Sequence, residues 1–190
     1  MGKAGRPPPR VDRSQAANLL IVKSTPHLND VVENAVRRIE QSGTPFLRVC
    51  QVFITHGHSD HAMRLSALLV TVWEFQRRQP SAIYGPPGTG RLVRDALQLL
   101  LRNYEIRRTE GYPTPIVSIV KAGDVGTSAV YSDDNLRLFL VENSHFSLGA
   151  DSPAEGRFKS YSYRFVTLIK SVAFTGGTGP SAALSSSVGV

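Results

Sequence analysis

The sequence predicts an α/β layered sandwich rather than a doubly wound sheet, and three observations carry that expectation. Strand-like apolar runs alternate with helical patterns early in the chain. Strand-like runs then dominate its later part. The length of 190 residues, with 41% hydrophobic and 19% charged side chains, suits one globular domain with a substantial core.

Residues 18–23 (NLLIVK) form a short apolar run that reads as a buried strand. Residues 30–41 (DVVENAVRRIEQ) then place Val31, Val32, Ala35, Val36 and Ile39 at helical spacing, with Gly43 and Pro45 punctuating the end. Residues 47–55 (LRVCQVFIT) are rich in β-branched and aromatic side chains and read as a central strand, with residues 56–60 as the loop leaving it. From 61 to 78 the pattern is a mostly apolar helix that stops before Pro80. Residues 81–84 make another brief strand, 85–90 a turn, and 91–104 (RLVRDALQLLLRNY) an amphipathic helix. Strand character returns at 115–121, 136–142, 160–168 and 170–174. These patterns divide the chain into a Pro/Gly-rich basic leader (1–15), one domain (16–181) and a small, polar tail (182–190) expected to be poorly ordered.

The net charge of +7 permits a polyanionic partner, but Lys3, Arg6, Arg10 and Arg13 fall in the leader, so the basicity reads as tail and solvated faces. With Cys50 as the one cysteine, no intrachain disulfide forms and a metal site must draw on His, Asp and Glu. No run of about 18 apolar residues exists for a membrane span, and the leader lacks the apolar core of a secretory signal. Cytoplasm is the default compartment.

The chemistry concentrates in residues 53–61 (FITHGHSDH), where four metal-capable side chains lie within six positions directly after an apolar strand. In extended chain His56 and His58 project to the same side and can share one cation. Where the chain bends into the following helix, Asp60 and His61 are redirected and can hold a second. Gly57 and Ser59 add no bulk. Neutral imidazole suits zinc, and a carboxylate offsets the charge of a dication. Two metals about 3.5–4 Å apart would clamp a water and lower its pKa from about 15.7 towards 7. Asp60 could orient that nucleophile and take its proton, which makes it the candidate catalytic residue.

The string ITHGHSDHA resembles the His-x-His-x-Asp-His signature of metallo-β-lactamase-fold hydrolases, on the ribonuclease Z side of that superfamily because His61 follows Asp60. Residues 174–180 (FTGGTGP) resemble the family's later Thr-Gly-Asp motif, and 141–146 (VENSHF) the segment that carries its third histidine. The resemblance runs from about residue 18 to residue 181. It implies an αββα sandwich with zinc at one edge of the β-layers, His56, His58 and His145 on the first metal, and Asp60 and His61 on the second. It also implies a hydrolase acting on a small-molecule ester or an RNA phosphodiester, with a homodimer allowed.

Three departures bear on that expectation. Gly177 stands where the family's bridging Asp is expected, and glycine offers no ligand atom. The chain ends shortly after Ser181, before the segment where the family places its last His and closing strands, so the domain reads as truncated. Asp30 is followed by Val31 and Val32 rather than by the family's Ala-Gly. Together these suggest one tight zinc, a weakened second site and impaired hydrolysis. The alternative is a catalytically decayed metal-binding or interaction remnant.

Several other signals are weaker. Residues 85–92 (GPPGTGRL) have P-loop glycine spacing, which would make the chain a nucleotide-binding protein. However, Arg91 replaces the phosphate-reaching Lys and Leu92 the Mg²⁺-binding hydroxyl. His27 reads as structural or surface, Trp73 and Phe75 as core, and Cys50 as a buried small hydrophobe. The interleaved Lys159, Tyr161, Tyr163 and Arg164 fit a half-buried strand better than an RNA-stacking platform.

Overall fold

A computed structural model describes residues 11–12, 14–112, 114–126, 131–147, 149 and 151–188. Its first half is a five-stranded sheet in the order β1 (Asn18–Val22), β2 (Thr25–Asn29), β3 (Gln51–Phe53), β4 (Ser81–Gly85) and β5 (Val120–Asp124). The β1–β2 pair is antiparallel and the remaining pairs are parallel. Parallel neighbours need crossovers, and these are α1 (Ala35–Gln41), α2 (Ser59–Ala62) with α3 (Leu65–Glu74), and α4 (Thr89–Leu99) with α5 (Leu101–Thr109). The second half is an antiparallel sheet of β6 (Tyr131–Ser132), β7 (Arg137–Glu142), β8 (Tyr161–Val166) and β9 (Ser171–Phe174).

Alternation along the strands builds two cores. Leu28, Val52 and Ile83 face one way and bury against Ile39, Leu65, Leu68, Leu69, Val72, Trp73 and Val93 of the crossover helices. Phe53 and Tyr84 face the other way, and meet Leu138, Leu140, Tyr161, Tyr163 and Phe165 of the second sheet. The central strands are therefore apolar on both faces, as parallel strands covered on each side must be. In β7 the alternate residue Phe139 points outward and is exposed. The sheets are also tied through the backbone: Tyr161 N–H donates to Thr55 O at 2.9 Å, and the Tyr163 hydroxyl to Ile54 O at 2.8 Å.

The mixed α/β architecture agrees with the sequence reading, but several elements differ. The pattern 30–41 becomes helical only at Ala35, because Asp30 and Asn34 both adopt positive φ. Val31 and Val32 are buried from a loop. The expected single helix 61–78 is two, because Val31 N–H takes the His61 carbonyl at 2.8 Å and interrupts the ladder. The expected helix 91–104 runs longer, as α4 and α5, with Leu100 between them. Part of the 47–55 strand is a 3₁₀ turn at Phe46–Arg48, and the 115–121 strand opens with another at Ile116–Ile119. Strands β2 and β6 are additional to the sequence reading.

The tail expected to be poorly ordered instead carries α6 (Ala182–Val188), packed on β7 and β8. Of the basic leader, residues 1–10 and 13 lie outside the described residues, while Ser14 is buried and Gln15 Oε1 meets Glu33 N–H at 3.5 Å. His27 is not at the surface: it lies on β2, 1% exposed, among Phe53, Tyr131 and Phe165. Trp73 is core, whereas Phe75 is largely exposed and leans on Phe46. Cys50 is half-buried, its thiol 3.4 Å from Gln79 Oε1. Tyr161 and Tyr163 are buried between the sheets, as the half-buried strand reading requires. Among the described residues no helix is long and apolar enough to cross a membrane.

Candidate metal centre

The parallel sheet delivers the histidine segment at the carboxyl end of β3, where open α/β sheets place their sites. Ile54 N–H still pairs with Tyr84 O at 2.8 Å, so the strand holds until Thr55 and then releases His56 to His58 as a loop. His58 stays extended and forms the N-cap position of α2, which carries Asp60 and His61 in its single turn. His145 arrives from the other sheet, on the 3₁₀ turn Ser144–Phe146 after β7.

Three imidazoles converge there. His56 Nε2 and His145 Nε2 each lie 3.1 Å from His58 Nδ1, and one nitrogen from each ring falls within 4.8 Å of the others. Their partners on the far side fix which nitrogen is bare. The Thr55 hydroxyl has one proton and lies 2.9 Å from Asp30 Oδ2, so it accepts from His56 Nδ1 at 3.0 Å. His145 Nδ1 donates to the Gly177 carbonyl at 2.6 Å. Both Nε2 atoms therefore turn lone pairs inward, which is the arrangement a cation accepts. Burial, then the neighbouring His61, His145 and His58, push His56 down to about 2, so it stays neutral. Burial and His145 lower His58 as well.

A second pair sits alongside. His61 Nε2 faces Asp60 Oδ2 at 3.8 Å, and the His56 and His61 rings lie 4.2 Å apart between centroids. His61 Nδ1 donates to Asp30 Oδ2 at 2.8 Å, which turns Nε2 towards the Asp60 carboxylate. Burial opposes protonation of His61, but the hydrogen bond and charge of Asp30 and the charge of Asp60 outweigh it and raise its pKa. Every residue singled out in the sequence (His56, His58, Asp60, His61 and His145) thus lies in one cluster. The donor set fits a divalent cation at the three histidines and offers two further ligand atoms beside it.

Two residues of this site carry weaker sequence signals. Asp30 lacks the Ala-Gly sought after it, yet its 2%-exposed carboxylate accepts from Thr55 N–H at 2.7 Å, the Thr55 hydroxyl and His61. Asn143 accepts from His145 N–H at 3.1 Å and donates to Ser162 Oγ and Thr175 O, which holds the His145 turn against β8 and the glycine loop. An Asn two positions before a histidine at a strand end is the trace it leaves in the sequence. Gly177 lines the same site at φ +75°, its missing Cβ aimed towards His145 Nδ1 at 3.9 Å.

The P-loop-like turn is already occupied. Gly88 N–H and Gly90 N–H donate to Asp124 at 2.9 and 2.8 Å, and these two bonds hold its carboxyl below the usual range. The amides that would cradle a phosphate are therefore spent on the protein's own carboxylate.

Comparison with known proteins agrees with this geometry. Residues 29–186 match the family model described as the β-lactamase superfamily domain. The ribonuclease Z of Methanosarcina mazei is 29% identical over 163 residues, 83% of this chain and 49% of that protein. The ribonuclease Z of Pyrococcus furiosus is 28% identical over 137 residues, 72% of this chain and 41% of that protein. The chain thus spans less than half the length of these relatives. Among solved structures, the short form of human tRNase Z superposes with a TM-score of 0.64 at 22% identity, covering 92% of this chain and 66% of that one. A metallo-β-lactamase-fold protein of Bacillus subtilis gives 0.62 at 13% identity, covering 92% and 59%. At these identities the superpositions speak for the fold.

Proposed function

Because the chain belongs to the β-lactamase superfamily, in its ribonuclease Z-like branch, we propose that it is a zinc-dependent hydrolase of a small-molecule ester or an RNA phosphodiester. His56, His58 and His145 would hold the tighter zinc, and Asp60 with His61 would offer a second, weaker position. A bound dication supplies Lewis acidity and makes water acidic enough to react near neutral pH. Asp60, at the edge of the cluster, orients the attacking water and accepts its proton. Asp30 and Thr55 keep His56 and His61 in the ligating tautomer, the Gly177 carbonyl does the same for His145, and Asn143 holds the His145 backbone in place. An RNA substrate is suggested by the names of the relatives, a small ester by the breadth of chemistry the fold carries.

The observation that carries this reading is the convergence of three imidazoles, with His56 Nε2 and His145 Nε2 each 3.1 Å from His58 Nδ1. Zinc-loaded protein is expected to bind at least one equivalent by elemental analysis and to cleave a generic phosphodiester or carboxylate ester. Both properties should be lost in His58→Ala. A protein that takes up no zinc overturns the proposal.

Gly177 favours a second reading, a metal-binding remnant with little turnover, because no side-chain oxygen stands between the two positions. Gly177→Asp separates the two. A large gain in turnover favours the remnant, and unchanged turnover in an already active chain favours the enzyme.

A further inference from the structure

Two cavities meet at His58 and His145. One, of about 730 Å³, is lined by the remaining candidate ligands and the loop from Gly176 to Gly179, and is accounted for by the metal centre. The other, of about 750 Å³, shares those two histidines but is otherwise lined by different residues, and has no role in the chemistry described so far. Its volume lies within the range of small-molecule sites.

The walls of this second cavity are apolar where they border the histidines. The Phe146 ring lies 4.8 Å from that of His145 and 5.1 Å from that of His58, and it continues to Phe158 at 6.0 Å. Pro86, Pro87 and Leu92 form the facing wall. Phe158 is 50% exposed, a large aromatic left facing the opening.

The polar groups at the cavity are mostly committed elsewhere. The Gly88 and Gly90 amides serve Asp124, and Thr89 Oγ1 donates to Pro86 O at 2.7 Å. Lys159 Nζ is paired with Glu142 at 2.8 Å. Arg91 has only a long exposed contact with Asp95, 3.8 Å, which screens it weakly. Among the described lining residues, the cavity therefore offers flat apolar surface and a loosely held Arg91 beside the Asp95 carboxylate, with Arg157 5.4 Å over the Phe158 ring.

We propose that this cavity receives the ester-side group of the substrate, and that this group is an aromatic ring system carrying a single negative charge that faces Arg91. The proposal rests on the hydrolase reading for its position beside the reacting bond. It narrows the substrate class to small aryl esters, because the surface beside the histidines is aromatic and the Gly88 and Gly90 amides that a phosphate would use are bonded to Asp124.

The probe is 2-naphthoate, titrated by its fluorescence into the full chain with and without zinc. Saturable one-to-one binding is expected in both conditions. Phe158→Ala should weaken it by about tenfold, and Phe158→Trp should return it to within about threefold of the parent. Arg91→Gln should weaken naphthoate by about fivefold while leaving the uncharged 2-naphthamide unchanged. Thermal melts of each variant establish that it is folded. Absence of saturable binding, indifference to Phe158→Ala, or displacement of naphthoate by tripolyphosphate at lower concentration than by a second aryl carboxylate would each overturn the proposal. Binding is read without turnover. A chain that hydrolyses esters but ignores naphthoate therefore sinks this inference alone, and a chain that binds naphthoate but takes up no zinc sinks the hydrolase reading alone.

Discussion

Replacing Asp30 by Asn tests the frame behind the metal centre with almost no change in volume. The carboxylate accepts from three groups: Thr55 N–H at 2.7 Å, the Thr55 hydroxyl at 2.9–3.0 Å and His61 Nδ1 at 2.8 Å. An amide keeps one acceptor oxygen, which satisfies Thr55 N–H, and turns its NH₂ towards the hydroxyl and the imidazole. His61 must then present a bare Nδ1 to that NH₂ and carry its proton on Nε2, the atom facing Asp60. The hydroxyl keeps an acceptor in the remaining oxygen at 3.0 Å but gains the amide as a donor, which competes with His56 Nδ1 for its lone pairs. One buried donor left without an acceptor costs about 1–3 kcal/mol of stability. Loss of an outer-shell partner costs about 10–100-fold in metal affinity. Asp30→Asn should therefore lower the urea midpoint of metal-free protein and weaken zinc in competition with a chromophoric chelator. A variant within about 0.5 kcal/mol of the parent in stability, with unchanged zinc affinity, would refute the tautomer argument.

Other perturbations follow from the same geometry. Gly176→Ala places a Cβ 2.7 Å from Thr55 Cβ at φ +68°, and should cost about 2–4 kcal/mol in chemical denaturation. Gly177→Asp meets nothing nearer than 3.9 Å and bears only the left-handed backbone strain, so about 1 kcal/mol is expected. Zinc content by elemental analysis should then rise towards a second equivalent. His27 has both ring nitrogens buried without a hydrogen-bond partner among the described residues, and burial lowers its pKa against the weaker opposing charge of Asp133. The unfolded chain therefore binds the proton first, and stability falls as pH drops below about 6.5. His27→Leu should stabilise the protein by about 1–2 kcal/mol and flatten that acid limb in pH-dependent melts. Asp124→Ala removes the acceptor for Gly88 and Gly90 N–H at the start of α4 and should cost about 1 kcal/mol at neutral pH. Its lowered pKa confines that contribution to pH above the usual carboxylate value, so parent and variant should converge as pH falls below about 3.9.

The site was more legible in the sequence than the boundaries of the fold. A strand–loop–helix with His56, His58, Asp60 and His61 announces itself because extended chain and one helical turn fix where those side chains go. His145 lies 87 residues from His58 and required the resemblance, since no local pattern links a strand-end histidine to a distant loop. Asp30 and Asn143 stayed inconspicuous because their roles depend on partners that pairing of distant segments creates. The split of the 61–78 pattern was likewise invisible, because the group that breaks it is a backbone amide thirty residues earlier. Strand β2 leaves little trace in the sequence because Pro26 suppresses strand propensity, although β1 pairs with it as a hairpin. The apolar alternation of β7 and β8, by contrast, is legible because both faces of a layer print a period of two.

The direct backbone bond from Tyr161 to Thr55 means that the first three strands of one half and the hairpin of the other share a seam one residue from His56. His145 reaches its neighbours only when that seam is closed, since the chain between it and His58 must be folded back on itself at an entropic cost that grows with the logarithm of loop length. An unfolded chain keeps just the short His-x-His tether, so a cation held by all three rings acts as a clasp across the two halves. Its occupancy would then report whether the halves are docked, and withdrawing it by chelation should loosen the hairpin half before the crossover helices.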